Sequence, residues 1–451
     1  MKRAWGCLTR ERMAATPKVP MSVYAERRRA LMSRLPHGVA VIPSAPVAIR
    51  NNDVEHEYRQ DSDLHYLTGF DEPESVLVLA TAHPEHEMVL FVRPRDPERE
   101  VWDGIRAGVD GAVRDFGADA AFPIAELAQC LPDYVGNHQQ LLYRLGRDRA
   151  FDDKMLAALD VVRARARRGV VCPGQIVDPA VVLHELRLLK TNDEIEAMRK
   201  AAAITRDAHL GAMRLAKPGR YEYEVEALLR EVFRKNGSER PAYSPIVGSG
   251  PNATVLHYHA NQRRMEEGDL LLIDAGCEYD YYASDVTRTF PVDGQFTEPQ
   301  RAIYQLVLDA QLAAIAVTKP GATLDEVHRA ALETIVDGLI ALGLLSGPRA
   351  KNIEDGLYRP FFMHRTSHYL GMDVHDVGSY YRDQKPRPLE AGMVVTIEPG
   401  IYIATGNTAV SPEYRGIGVR IEDDFLLTAD GNANLTADIP KTVSEIERAC
   451  A

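Results

Sequence analysis

Leu270-Leu-Leu-Ile-Asp-Ala-Gly276 is an apolar run that ends in a carboxylate, and a run of the same construction returns at Met393-Val-Val-Thr-Ile-Glu-Pro-Gly400. Gly268 stands six positions before Asp274 and Gly276 two after it; Gly392 stands six before Glu398 and Gly400 two after it. Short β-branched or leucine-rich runs bounded by glycine read as buried strands. An ionised side chain at the end of such a strand is costly unless a cation or several donors compensate it. Two copies in matched frames imply a duplicated unit that brings two carboxylates to one place, and a metal site resolves the cost.

The surrounding text repeats as well. Residues 192–215 keep Ile195, Met198, Ala202, Ala208 and Met213 at helical spacing, and Lys217-Pro-Gly ends that helix before a second helical pattern over residues 222–236. Lys319-Pro-Gly likewise precedes a helix over residues 324–342. Helix, Lys-Pro-Gly, helix, then antiparallel strands occurs twice, which predicts an α+β domain with a pseudo-twofold axis and its site at the junction. Ahead of it, strands at residues 38–42, 75–80 and 88–92 alternate with helical text, so a smaller α/β domain is expected over residues 21–183 and the catalytic domain over residues 184–451. Residues 1–20 carry Lys2, Arg3, Arg10 and Arg12 among short apolar stretches, which reads as a disordered tail rather than a secretion signal.

A chain of 451 residues exceeds what one core usually supports, in keeping with two domains. A formal net charge of −12 and the lack of basic runs interleaved with aromatics argue against nucleic acid as a partner. The longest apolar stretch, residues 306–317, is broken by Asp309 and Gln311, so no membrane span is expected. Cys7, Cys130, Cys172, Cys277 and Cys450 form no CxxC pair, which suits reduced thiols in a cytoplasm.

A two-residue turn at Tyr279 and Asp280 would set Asp274 directly opposite Asp285, where side chains share a face about 5 Å apart. Two carboxylates so placed repel, and one or two divalent cations would relieve them. His364, His368 and His375 lie between the two acid strands; Arg365 occupies the place of the glutamate in H-E-x-x-H, so the zincin reading fails. His257 precedes the first acid strand in Leu256-His-Tyr-His, where the neighbouring His259 has no independent support. Near the C-terminus, Gly416-Ile-Gly-Val-Arg-Ile-Glu-Asp423 alternates so that Arg420 and Glu422 share a face, which makes Glu422 the counterpart of Asp285 and pairs it with Arg420. Four carboxylates with one or two imidazoles suit a pair of ions such as Mn²⁺, Co²⁺ or Zn²⁺, which can bridge and activate one water for hydrolysis.

The order Asp274, Asp285, His368, Glu398, Glu422 resembles that of the pita-bread metallopeptidases. The chain resembles their Xaa-Pro aminopeptidase (aminopeptidase P) family through Tyr58-Arg-Gln-Asp-Ser-Asp-Leu-His-Tyr-Leu-Thr-Gly-Phe70, Leu272-Ile-Asp-Ala-Gly-Cys-Glu-Tyr279 and Ser284-Asp-Val-Thr-Arg-Thr-Phe290. Ser367-His-Tyr-Leu-Gly-Met-Asp-Val-His-Asp-Val-Gly378 and the stretch ending at Asp423 carry it further. The resemblance implies an aminopeptidase that hydrolyses the N-terminal Xaa-Pro bond by a metal-bridging hydroxide. It implies Asp274, Asp285, His368, Glu398 and Glu422 as ligands of two divalent ions, Mn²⁺ foremost, with Asp285 and Glu422 bridging. His257, His364 and His375 would hold substrate and stabilise the tetrahedral intermediate, Glu398 would handle the nucleophile's proton, and Val374, Tyr402 and Arg420 would form the proline pocket and its support. It further implies a cytoplasmic homo-oligomer, dimer or tetramer, in which the region around Trp102 narrows the entry. Metal-free relatives such as creatinase, and peptide-binding modules of the same fold, have lost ligands that are all present here; methionine aminopeptidases lack the large preceding domain. Prolidase, which cleaves Xaa-Pro dipeptides, is the alternative.

Overall fold

The computed structural model describes residues 19–451, and the tail expected over residues 1–20 lies outside them except for its last two positions. The chain divides into two compact units, a first that ends at Leu186 and a second of Arg187–Ala451.

In the first unit a six-stranded mixed sheet runs in the order Ala120–Pro123, Met88–Val92, Val76–Ala80, Gly38–Pro43, Gln140–Leu142, Gln175–Val177. The three strands read from the sequence are its centre, buried along nearly their whole length because helices such as Leu127–Val135 and Arg149–Ala164 pack against them. Within Tyr58 to Phe70, the Asp61 carboxylate caps the helix Ser62–Thr68 by accepting from the Asp63 and Leu64 amides, and Gly69, at φ 67°, ends it.

The second unit holds the duplication. Asn192–Leu215 packs on Glu222–Lys235, and Glu298–Val317 on Leu324–Ala341, each pair preceding its own three-stranded sheet. Thr323 and Glu326 form a reciprocal cap at the last of these helices, which fixes where it starts next to the cavity described below. All four helices and both sheets bury their apolar faces in one core.

The first acid strand, Leu270–Asp274, lies between Ile246–Ser249 and Thr287–Pro291. Its register corrects the sequence reading. Tyr279 pairs with Tyr282, so the turn falls on Asp280 and Tyr281, whose φ values of 51° and 68° are the left-handed backbone conformation of a tight hairpin turn, which matches the right-handed twist of the flanking strands. Asp274 therefore faces Thr287 rather than Asp285. A slip of two residues keeps every side chain on its face, so Asp285 remains on the side of Asp274 but becomes its diagonal neighbour. In the second sheet Ile397 pairs with Asp423 and, further on, Gly400 with Arg420, a register that sets Glu398 directly opposite Glu422. Residues 366–370 run alongside this strand through Leu370 N–H to Val394 O, Thr396 N–H to His368 O and Glu398 N–H to Thr366 O, at 2.8–3.0 Å. His368 thus sits on extended chain and His364 at a bend just ahead of it, and both line the cavity described below. The halves meet where the Glu422 amide donates to Thr287 O at 3.1 Å.

Gly276 is needed within the first hairpin, because a Cβ there would stand 1.7 Å from Ser284 O on the returning arm. Gly276→Ala is expected to destabilise the protein by at least about 1–3 kcal/mol, checked as a lower thermal midpoint than wild type under the same buffer and scan rate.

Candidate dimetal site

At the meeting of the two sheets a cavity of about 820 Å³ is lined by Asp274, Asp285, Glu398 and Glu422 together with His257, His364, His368, His375 and Arg420. Nine of the eleven expected site residues therefore come to one wall. Val374 and Tyr402 do not line it; Tyr402 is buried behind, with its hydroxyl 2.8 Å from His364 Nε2.

Each acid has an identifiable support. The Tyr243 hydroxyl lies 2.6 Å from Asp274 Oδ1 and 2.5 Å from Asp285 Oδ1, so one phenol spans the diagonal pair. Thr287 donates to Glu422 Oε2 at 2.6 Å and accepts from Arg420 Nε at 3.0 Å. The Arg420 guanidinium pairs with Asp274 Oδ2 at 2.5 Å and donates to the Tyr402 hydroxyl at 2.9 Å. This corrects the expected Arg420–Glu422 pair: the arginine crosses between the halves to the opposite acid strand. Behind the crossing, the fully buried Arg288 donates to the carbonyls of Thr287 and Glu422 and pairs with Asp423 at 2.6 Å, which locks the strands of Asp285 and Glu422 together.

The electrostatics suit cations. Burial, with neighbouring acids adding to it, pushes the carboxyls of Glu398 to about 7 and Glu422 well above the usual range, and burial raises Asp274 despite Arg420. Burial lowers the His368 imidazole, but Asp285 and Glu398 outweigh it and lift the group to about 9. His368 Nδ1 lies 3.0 Å from Tyr369 O, which makes Nδ1 the N–H and turns Nε2 toward Asp285 at 3.4 Å and Glu398 at 3.5 Å. Atoms of Asp285, His368 and Glu422 lie within 4.8 Å of one another, as a shared ion requires. An oxygen-rich set with one imidazole, diagonal and opposed acids held apart by buried donors, fits divalent ions.

The remaining histidines differ. Burial first, then Arg420, drives His364 down to about 3, and its two nitrogens face Arg365 O at 2.7 Å and the Tyr402 hydroxyl. His257 and His375 have no hydrogen-bond partner among the described residues, which leaves their nitrogens for a ligand; His375 packs edge-on against His368 with ring centroids 4.4 Å apart. His259 does not line the cavity. Tyr243 and Thr287 were not singled out by sequence, and nothing in their spacing marks them.

A profile described as Metallopeptidase family M24 matches residues 196–429, and one described as Aminopeptidase P, N-terminal domain, matches residues 24–143. The chain belongs to metallopeptidase family M24. Among M24 relatives, it is 44% identical to the Xaa-Pro aminopeptidase of Escherichia coli K12 over 94% of this chain and 96% of that one. It is 36% identical to human Xaa-Pro aminopeptidase 3 over 97% of this chain and 87% of that one. The structure of Pseudomonas aeruginosa aminopeptidase PepP superposes with a TM-score of 0.94 at 49% identity, covering 96% of this chain and 98% of that one. A zinc-substituted E. coli aminopeptidase P in complex with product superposes with a TM-score of 0.92 at 43% identity, covering 96% and 98%. This M24 chain is accordingly a two-unit metallopeptidase of the aminopeptidase P architecture.

Removing the phenol that spans Asp274 and Asp285 should loosen both. Tyr243→Phe is expected to weaken divalent-ion affinity by about tenfold or more, read by calorimetric titration of the metal-stripped protein while its circular dichroism stays unchanged.

Proposed function

We propose that the protein removes the first residue from peptides whose second residue is proline, with two divalent ions held by Asp274, Asp285, His368, Glu398 and Glu422 and bridged by Asp285 and Glu422. When bound, the ions supply Lewis acidity and an activated water. Hydrolysis places the hydroxyl of water on the carbonyl carbon of residue one and a proton on the proline nitrogen. Glu398, facing His368 at 3.5 Å, is assigned that proton. His257 and His375 are assigned the substrate and the developing oxyanion because their ring nitrogens have no hydrogen-bond partner among the described residues. His364, with both nitrogens engaged, offers the substrate its ring, braced by Tyr402 and Arg420. A proline nitrogen carries no N–H and fixes φ near −65°, so a peptidase for this bond needs shape rather than a donor–acceptor match.

The observation that favours an aminopeptidase over a prolidase is the state of the cations on the cavity wall. A dipeptide's free carboxylate calls for a committed cation. Of the arginines lining the cavity, Arg365 is paired with Asp325 and Arg420 with Asp274. The Xaa-Pro aminopeptidase names of the relatives support the same reading. Manganese as the resident metal, a cytoplasmic location and a homo-oligomer of two or four chains belong to the proposal. The oxygen-rich donor set supports the first. Among the described residues no helix is long and apolar enough to cross a membrane. Trp102, 85% exposed beside Val101 on the helix Pro97–Asp103, suits a contact between copies.

Steady-state kcat/KM on Ala-Pro-Ala should exceed that on Ala-Pro; a clear preference for the dipeptide would make the protein a prolidase. Chelation should abolish turnover and Mn²⁺ restore it best among divalent ions. Asp285→Asn and Glu422→Gln should each remove most activity and weaken metal binding, and unchanged titration curves in both would refute the bridging roles. His375→Ala should keep its metal and lose about 10²-fold or more in kcat, whereas His259→Ala should stay within about threefold of wild type.

A further inference from the structure

His375 has no hydrogen bond of its own to orient it, yet the loop that carries it is fixed from behind by buried charges. Asp376 Oδ2 accepts from the Lys190 ammonium at 2.8 Å, and its Oδ1 accepts from Arg187 Nη2 at 2.8 Å. The same arginine nitrogen reaches Asp373 Oδ2 at 2.8 Å. Side-chain exposures of 1% for Lys190, 3% for Arg187 and 1% for Asp376 put these three out of solvent, while Asp373 at 37% stands at the edge. The Asp376 amide donates to Tyr369 O at 2.9 Å, and Gly371 O accepts from the Ala283 amide at 2.8 Å. Lys190 is anchored in turn by its own amide to Gly392 O at 2.8 Å, at the start of the strand that leads to Glu398. Space is closed: a Cβ on Gly371 would stand 2.1 Å from Asp376 Oδ2 and 2.9 Å from Lys190 Cε.

Taking such charges out of water is not the economical way to stabilise a loop, because an apolar set of equal volume often serves as well. What the cluster does provide is geometry. Arg187 grips Asp373 and Asp376, the residues on either side of Val374 and His375, and Lys190 ties Asp376 to the second acid strand. We propose that Asp376, held by Lys190 and Arg187, is a positioning residue that aims His375 at the substrate. The inference rests on the reading of His375 as a group that contacts substrate, and the experiment separates the two.

The test is a double-mutant cycle on the manganese-loaded enzyme with Ala-Pro-Ala. Lys190→Met alone is expected to lower kcat between about ten- and a hundredfold through misplacement of His375, with manganese affinity unchanged. In the His375→Ala background the same substitution should cost no more than about twofold. Arg187→Lys, which keeps the charge but loses the Nη2 group that bonds both Asp373 and Asp376, is run in the same cycle, so the outcome does not depend on Lys190→Met folding. Equal losses in both backgrounds, or a loss that follows manganese affinity, would overturn the positioning role. A fully active His375→Ala would instead remove the reading of His375 beneath it.

Discussion

The convergence of Asp274, Asp285, Glu398 and Glu422 in a buried crossing is the constraint on which the rest of the structure depends. Burial raises Asp274, Glu398 and Glu422 toward neutrality, and in all three a neighbouring acid adds to the rise. Such a group of acids persists only where donors and cations are aimed at it. The supports are specific: the phenol of Tyr243 on two acids, Thr287 on Glu422, Arg420 on Asp274. Even the Asp285 amide is held, by the Asp424 carboxylate that Ser284 also bonds at 2.9 Å. The family chemistry, metal-dependent peptide hydrolysis, is what this placement of charge serves.

Duplication supplies the frame, but the two halves are not equivalent. The first hairpin turns through Asp280 and Tyr281 and leaves its acids diagonal, whereas the second sets Glu398 and Glu422 face to face. One consequence is that Tyr243 has room to span the diagonal pair, entering just ahead of the strand Ile246–Ser249. Another is that Arg420 can cross to Asp274, joining the halves along the same line as the buried Arg288. Departures from twofold symmetry are therefore where the site acquires its asymmetric supports.

The acid strands were legible in the sequence because an apolar run that ends in a carboxylate between glycines has few other readings. The paired helices were legible because periodicity and Lys-Pro-Gly breaks recur together. Register was not. The turn could fall on Tyr279–Asp280 or Asp280–Tyr281, and the Tyr279–Tyr282 pairing, with positive φ at Asp280 and Tyr281, decides for the latter. Side-chain partnership across strands was equally hidden: Arg420 sits two residues from Glu422, so a local pair was the natural reading, while its true partner lies 146 positions away. Tyr243 occurs in text with no periodicity that marks it, and the buried backing of His375 joins Arg187 and Lys190 to residues almost two hundred positions downstream.

The central claim is that this crossing holds a pair of ions between its two halves. An anomalous-difference map from crystals of the manganese-loaded protein tests it most directly. The account predicts two peaks roughly 3.5–4 Å apart, both contacted by Asp285 and Glu422, with His368 on one of them. A single fully occupied peak, or ions bound away from these carboxylates, would contradict it.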